Sequence, residues 1–222
     1  DIGETYVMVD GLTRKRKGFA CCAWTHGAAE AARQLVEDHA VSLSAIAANR
    51  IETFHEGHRL GTNPPTTTEE AQFNMAWPVA AMVLDGEIGP RQTLEDRLAD
   101  PELRDLAAKV TVVESDELNR LAELFERGHH RGRWASRVSI HRRNGDAVTS
   151  ELEDGGFHFP APVWTEADVE EKFRWLAAMV LDKGRVERIL DAVSTVEHLS
   201  DVRQLTARLE TRVDGVEKAE AA

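Results

Sequence analysis

Apolar residues recur along this chain with two different periods, and the changes of period divide it into elements. From residue 26 to 39 the positions Ala28, Ala32, Leu35 and Val36 share one helical face, and Thr25 stands where an N-cap is needed. Small alanines on that face permit close packing. Residues 47 to 54, AANRIETF, read as a strand. In the following loop, GTNPPTTT, two prolines remove backbone donors and hold the preceding residues out of helix. Thr68 then caps a long helix that ends at Gly86, with Phe73, Ala76, Trp77, Ala80, Ala81 and Leu84 on its apolar face. Pro78 predicts a kink within it. A short helix near 102 to 108, a strand in KVTVVES and a helix over 116 to 127 come next.

A period of two is clearest in WASRVSIHRRNGDAVTSELE, where Trp134, Ser136, Val138 and Ile140 alternate with Ala135, Arg137, Ser139 and His141. Asn144-Gly145 predicts a two-residue hairpin turn with positive φ at both positions. Past a Gly/Pro-rich stretch, Thr165 caps a helix with Val169, Phe173, Leu176 and Val180 as its stripe. A further helix over about 184 to 198 turns Val186, Ile189, Leu190 and Val193 inward. The charged end, EKAEAA, is expected to fray. The element order predicts an α+β fold. A mostly antiparallel sheet covered by helices would occupy residues 1–160, and an all-helical C-terminal segment 161–222.

Composition adds to this picture. At 222 residues and 42% apolar, the chain can bury a real core, and it has the profile of a soluble globular protein. No apolar run reaches membrane-spanning length, and DIGETYVMVD lacks a secretory signal. A start at Asp1 rather than Met suggests processing or an excerpt of something longer. With 27 Lys plus Arg against 39 Asp plus Glu, the net charge of −12 repels phosphate backbones, which argues against nucleic-acid partners. Two adjacent cysteines make no disulfide framework, so a reducing cytoplasm is expected.

The chemistry concentrates in RKRKGFACCAWTHG, residues 14 to 27. Adjacent Cys21 and Cys22 lack the CxxC spacing that lets two thiolates converge on one zinc. HEGH, from His55 to His58, has its histidines at i, i+3 rather than the i, i+4 of a zincin helix. His129 and His130 are adjacent in a glycine-flanked loop. Core or solvated side chains are the plain reading of all of these, and no metal is expected. Within the cationic run Arg14 to Lys17, one cation could face a pocket and bind carboxylates, or the whole run could be a solvated loop. His26 stands at the predicted helix start, where the dipole favours anions and a neutral imidazole suited to proton transfer. From spacing alone, a lone histidine is more often structural. Serine-hydrolase, P-loop and dinucleotide signatures are absent.

KGFACCAWTH (17 to 26) resembles the Lys-x-aromatic-x-Cys-Cys-x-x-Thr-His segment of the MmgE/PrpD family. PPTTTEEAQFNMAWPVAAMVLDGEIGP, RVSIHRRNGDAVTSELE and TEADVEEKFRWLAAMVL are similar to further segments of that family, in its order. The family includes 2-methylcitrate dehydratases, cis-aconitate decarboxylases and an iminodisuccinate epimerase. All work by proton chemistry beside a carboxylate, without an iron–sulfur cluster or organic cofactor. The resemblance implies a lid domain plus helices that return to a helical N-terminal half, usually in a homodimer with the site between the domains. It implies a cofactor-independent lyase on a small polycarboxylate, most like the 2-methylcitrate dehydratase of propionate metabolism. An isomerase or decarboxylase of the family is the alternative, as is a non-catalytic module binding a partner or carboxylate ligand. By resemblance His26 is the general acid/base or an orienting group, and Lys17 pairs with a substrate carboxylate. Arg16 and Trp77 would contact substrate, Trp77 at a position often held by Tyr. EDGGFHFPAPVW departs from the family's Gly-Asp-Pro-x-Asn-Pro pattern.

The resemblance also implies that an Asp and further histidines of the relay come from the helical half or a partner subunit. The chain by itself should therefore show no appreciable turnover of 2-methylcitrate, citrate or cis-aconitate. A direct assay checks this, and robust turnover would overturn it.

Overall fold

The computed structural model describes residues 18–158 and 165–209. The chain divides into two compact units, Asp1–Val163 and Trp164–Ala222. The fraying expected for EKAEAA lies outside the described residues.

The first described element of this unit is α1, Ala23–Asp38, which starts three residues earlier than its apolar stripe suggests. Cys22 is the N-cap, so Thr25 is not. The Thr25 hydroxyl instead donates to the carbonyl of Asn74 at 3.1 Å, a buried bond to another segment that outcompetes local capping. After α1 comes the strand β1, Ile46–Thr53, and the short helix α2, His55–Arg59.

The long helix expected from Thr68 is two helices, α3 (Thr68–Gln72) and α4 (Ala76–Asp85). Thr67 rather than Thr68 caps α3, its hydroxyl accepting the Glu70 N–H at 3.2 Å. The chain breaks at Phe73 to Met75, and the Asn74 side chain accepts the Trp77 N–H at 2.8 Å to start α4. Pro78 becomes the third residue of α4. A first-turn N–H has no intrahelical acceptor, so its loss costs nothing and no kink is needed. Gly86 ends α4 as expected, at φ 74° with its N–H on the Met82 carbonyl.

Two further helices, α5 (Glu95–Leu98) and α6 (Pro101–Ala107), lead into β2, Val110–Glu114. Asp100 caps α6 by accepting the N–H groups of Glu102 and Leu103. Helix α7, Asp116–Glu126, precedes the hairpin of β3 (Arg137–Arg142) and β4 (Ala147–Thr149). Its turn is not of the expected type, because only Gly145 has positive φ, at 94°. Gly145 donates to the Arg142 carbonyl at 3.0 Å, and Arg142 donates to the Asp146 carbonyl at 2.7 Å. That pattern is a right-handed turn followed by a glycine bulge, which needs one left-handed residue rather than two.

Among the described residues the strands form one sheet in the order β2-β1-β3-β4. β1 pairs parallel with β2 and antiparallel with β3, and β3 pairs antiparallel with β4. Helices α1 and α4 pack on each other, α1 also on β3, and α4 on α6. Ala28, Ala29, Ala31 and Ala32 are buried with Ala80 and Ala81, so short side chains let these backbones approach. Ile46, Ile51, Val138 and Ile140 complete that core from the sheet. A smaller cluster joins Phe54, Leu118, Ala122 and Ala135, with Trp24, Trp134 and Leu152 against it.

The second unit contains α8 (Glu166–Ala177), α9 (Lys183–Ser194) and α10 (Arg203–Leu209). Thr165 caps α8 in a reciprocal box with Asp168, as its sequence suggests. Arg174 bridges Glu170 and Glu187, tying α8 to α9. The expected stripes are only partly covered. Val186 and Ile189 are buried, but Val169, Val193 and Val180 are exposed, Val180 because it lies past the end of α8. Val169, Phe173, Ile189 and Val193 line an open groove of about 390 Å³.

Two expectations follow. Asn49 in β1 is 1% exposed, and neither its Oδ1 nor its Nδ2 has a hydrogen-bond partner among the described residues. Asn49→Val should raise stability by about 1 kcal/mol in denaturant unfolding, because a buried amide without a protein partner is lost. A fall would show that the amide is satisfied in solution. On the other face of β1, the Arg50 guanidinium, and after it that of Arg137, holds the Glu52 carboxyl below the usual carboxylate range. A depressed folded value stabilises above the unfolded carboxyl pKa and is lost as pH falls through the folded one. The melting-temperature gap between wild type and Glu52→Gln should therefore be widest near neutrality and narrow in acid.

Candidate functional site

The first turn of α1 is held from two sides. On one side the Cys22 N–H donates to the Gln72 carbonyl at 2.8 Å, and Thr25 reaches the Asn74 carbonyl. These bonds fasten the turn to the break between α3 and α4. On the other side lies the loop from Glu153 to His158. A Cβ on Gly27 would fall 2.3 Å from the Glu153 carbonyl oxygen and 3.1 Å from the Asp154 Cα. A Cβ on Gly155, at φ 60°, would fall 2.6 Å from the Cβ of His26. Only glycines permit this approach.

His26 is the fourth residue of α1 and is 1% exposed. Its ring lies between Phe19 (centroids 4.9 Å apart) and Phe157 (5.3 Å, interplanar 82°). Phe157 in turn stacks on Trp134 at 5.4 Å, and Trp134 on Phe54 at 6.3 Å. A continuous aromatic row thus runs from His26 into the smaller core.

The loop beside His26 carries its own polar cluster. Asp154 is 8% exposed, and its Oδ1 accepts the Gly156 N–H at 3.0 Å and lies 2.8 Å from His158 Nδ1. Arg133 Nη1 stands 3.9 Å from Asp154 Oδ2. An isolated bridge pairs Arg133 with His158, and the backbones of Ser136 and Glu153 exchange hydrogen bonds at 2.8 and 2.9 Å. Glu153 Oε1 accepts the N–H groups of Asp154 and Gly155, both at 3.0 Å.

Lys17 and Arg16 lie outside the described residues. Trp77 is buried in α4, with its indole N–H donating to the Gln92 carbonyl at 2.8 Å. Cys21 is buried and Cys22 half-buried as the N-cap of α1. HEGH forms α2, where His55 Nδ1 lies 3.2 Å from Glu114 Oε2. Among the described residues no cluster of His, Cys, Asp or Glu is arranged to hold a metal ion. None of their helices is long and apolar enough to cross a membrane.

Sequence reasoning missed two features of the segments fastened to the first turn of α1. Phe73, in the break fastened to α1, is 61% exposed although helical spacing had put it on a buried face. Asp154 and His158 drew no attention, although the Asp-Gly-Gly run before two aromatics signalled a tight, specifically shaped loop.

A profile of the MmgE/PrpD C-terminal domain matches residues 19–198, and the chain belongs to that family. It is 27% identical to the cis-aconitate decarboxylase of Aspergillus terreus over 206 residues, covering 87% of this chain and 40% of that protein. It is 27% identical to human cis-aconitate decarboxylase over 146 residues, 65% of this chain and 28% of the relative. The cis-aconitate decarboxylase-like protein oryM of Aspergillus oryzae matches 199 residues at 27%, covering 85% and 39%. The chain thus spans at most 40% of the length of these curated relatives.

The glycine contacts give a graded expectation. Gly145→Ala, at positive φ but with open space around its Cβ, should cost about 1 kcal/mol. Gly155→Ala meets the same backbone strain plus the clash with His26, and should cost about 2 kcal/mol more in urea unfolding. Equal costs for the two variants would mean that the loop is not seated on α1.

Proposed function

We propose that this chain is the C-terminal portion of a lyase acting on a small polycarboxylate. The observation that carries the reading is the family match across residues 19–198. The names of the relatives weigh toward decarboxylation of a cis-aconitate-like substrate. Dehydration of a 2-methylcitrate-like substrate is the second reading, since the segments KGFACCAWTH and EAQFN resemble the family as a whole rather than one of its reactions. Both reactions place negative charge beside a carboxylate, and a positioned cation and imidazole lower that barrier.

In this reading Lys17 pairs with a substrate carboxylate, with Arg16 beside it. His26 serves the same pocket. Its burial between Phe19 and Phe157 supports the orienting role over direct contact with the reacting carbon. Trp77 would shape the pocket through packing, since its N–H is engaged with Gln92. The relay is completed by a helical N-terminal half or a partner subunit, in a homo-oligomer, in the cytoplasm, and without a cofactor.

The test joins the chain to a helical half of the family and measures carbon dioxide release from cis-aconitate and water loss from 2-methylcitrate. His26→Gln and Lys17→Met should each lower turnover by roughly 10²-fold or more while the melting temperature stays near that of wild type. Full activity in both variants would refute the assignment.

A further inference from the structure

An orienting His26 leaves the transferred proton to another group, and the loop packed against it holds a second imidazole of a different kind. His158 is 38% exposed at its side chain, whereas His26 is 1% exposed. Its Nδ1 lies 2.8 Å from the Oδ1 of the buried Asp154 carboxylate. A carboxylate only accepts, so Nδ1 carries its proton toward Asp154 and Nε2 is the nitrogen that exchanges one. Asp154 is itself fixed by the Gly156 N–H, with the Arg133 guanidinium on its other oxygen side. This is the arrangement by which a buried carboxylate selects an imidazole tautomer and steadies the charged ring. It is tied to His26 sterically. Asp154 abuts Gly27, Gly155 abuts His26, and Phe157 closes on the His26 ring.

We infer that His158 is a proton-transfer residue of the same site, with Asp154 as its positioning residue; this rests on the polycarboxylate-lyase reading above. In the decarboxylation the C–C bond to the departing carboxylate breaks and carbon dioxide leaves with no electron pair from that bond. The pair stays on carbon, delocalised toward the neighbouring carboxylate. The Nε2 proton of the His158 imidazolium moves to that carbon, and the neutral ring keeps its Nδ1 proton on Asp154. Solvent returns the Nε2 proton.

The experiment is ¹⁵N NMR of the histidine-labelled chain joined to a helical half of the family, without ligand and titrated with cis-aconitate. The neutral His158 ring is expected mainly as the Nδ1–H tautomer, the reverse of free histidine. Asp154→Asn is expected to move it toward an even mixture. Cis-aconitate is expected to shift the His158 and His26 resonances over the same concentration range. A wild-type His158 in the Nε2–H tautomer overturns the inference, and that measurement stands even if the Asp154 variant does not fold. Shifts at His26 without His158 overturn the inference and leave the lyase reading in place. Shifts at neither ring count against the lyase reading, and the inference falls with it.

Discussion

Everything around the candidate site depends on how closely the loop from Glu153 to Gly155 lies against the first turn of α1. Two hydrogen atoms, on Gly27 and Gly155, stand where side chains would otherwise hold the segments apart. Because the approach is that close, Phe157 reaches the His26 ring and Asp154 sits beside the helix rather than in solvent. Bonds from Cys22 and Thr25 fasten the opposite side of the turn to the α3–α4 break. The turn is therefore clamped between two loops, and the His26 imidazole is held in place with it.

The charge distribution complements this clamp. A chain with net charge −12 places Arg133 near Asp154 and keeps its other described ion pairs mostly on helix surfaces and on the outer face of β1. Exposed pairs of that kind contribute little individually. Burial of the alanine-rich α1 against α4 and the sheet supplies the larger part of the stability, as expected when apolar area dominates. The polar groups of the site loop can then be arranged for geometry rather than for stability.

Elements set by a local period were legible in the sequence. The strand at AANRIETF, the cap at Thr165, the C′ glycine at Gly86 and the helix at 116 to 127 all follow from nearest-neighbour rules. Features set by distant partners were not. Thr25 looks like a cap until Asn74 offers a better acceptor, and Pro78 looks like a kink until Asn74 restarts the helix upstream. Asn144-Gly145 satisfies two turn types, and the register of Arg142 against Asp146 chooses between them. For the site, the family segment pointed to His26 and Lys17, and the described structure places only the first of these. Asp154 and His158 were hidden because their relation arises from a loop fold rather than from a periodic pattern.

The residues that meet at the clamp come from opposite ends of the first unit. Gly27 and Gly155 are separated by most of its length, with β1, β2 and the β3–β4 hairpin between them. Contacts of such long sequence separation carry a large loop-closure cost, which the sheet between them lowers by bringing the two segments together. The site is thus a reporter of complete folding: a chain that had built its sheet but not seated the Glu153–Gly155 loop would look native in secondary structure and have no site at all. Chain cleavage just after β4 would have the same consequence, separating the scaffold from the place where its chemistry is assembled.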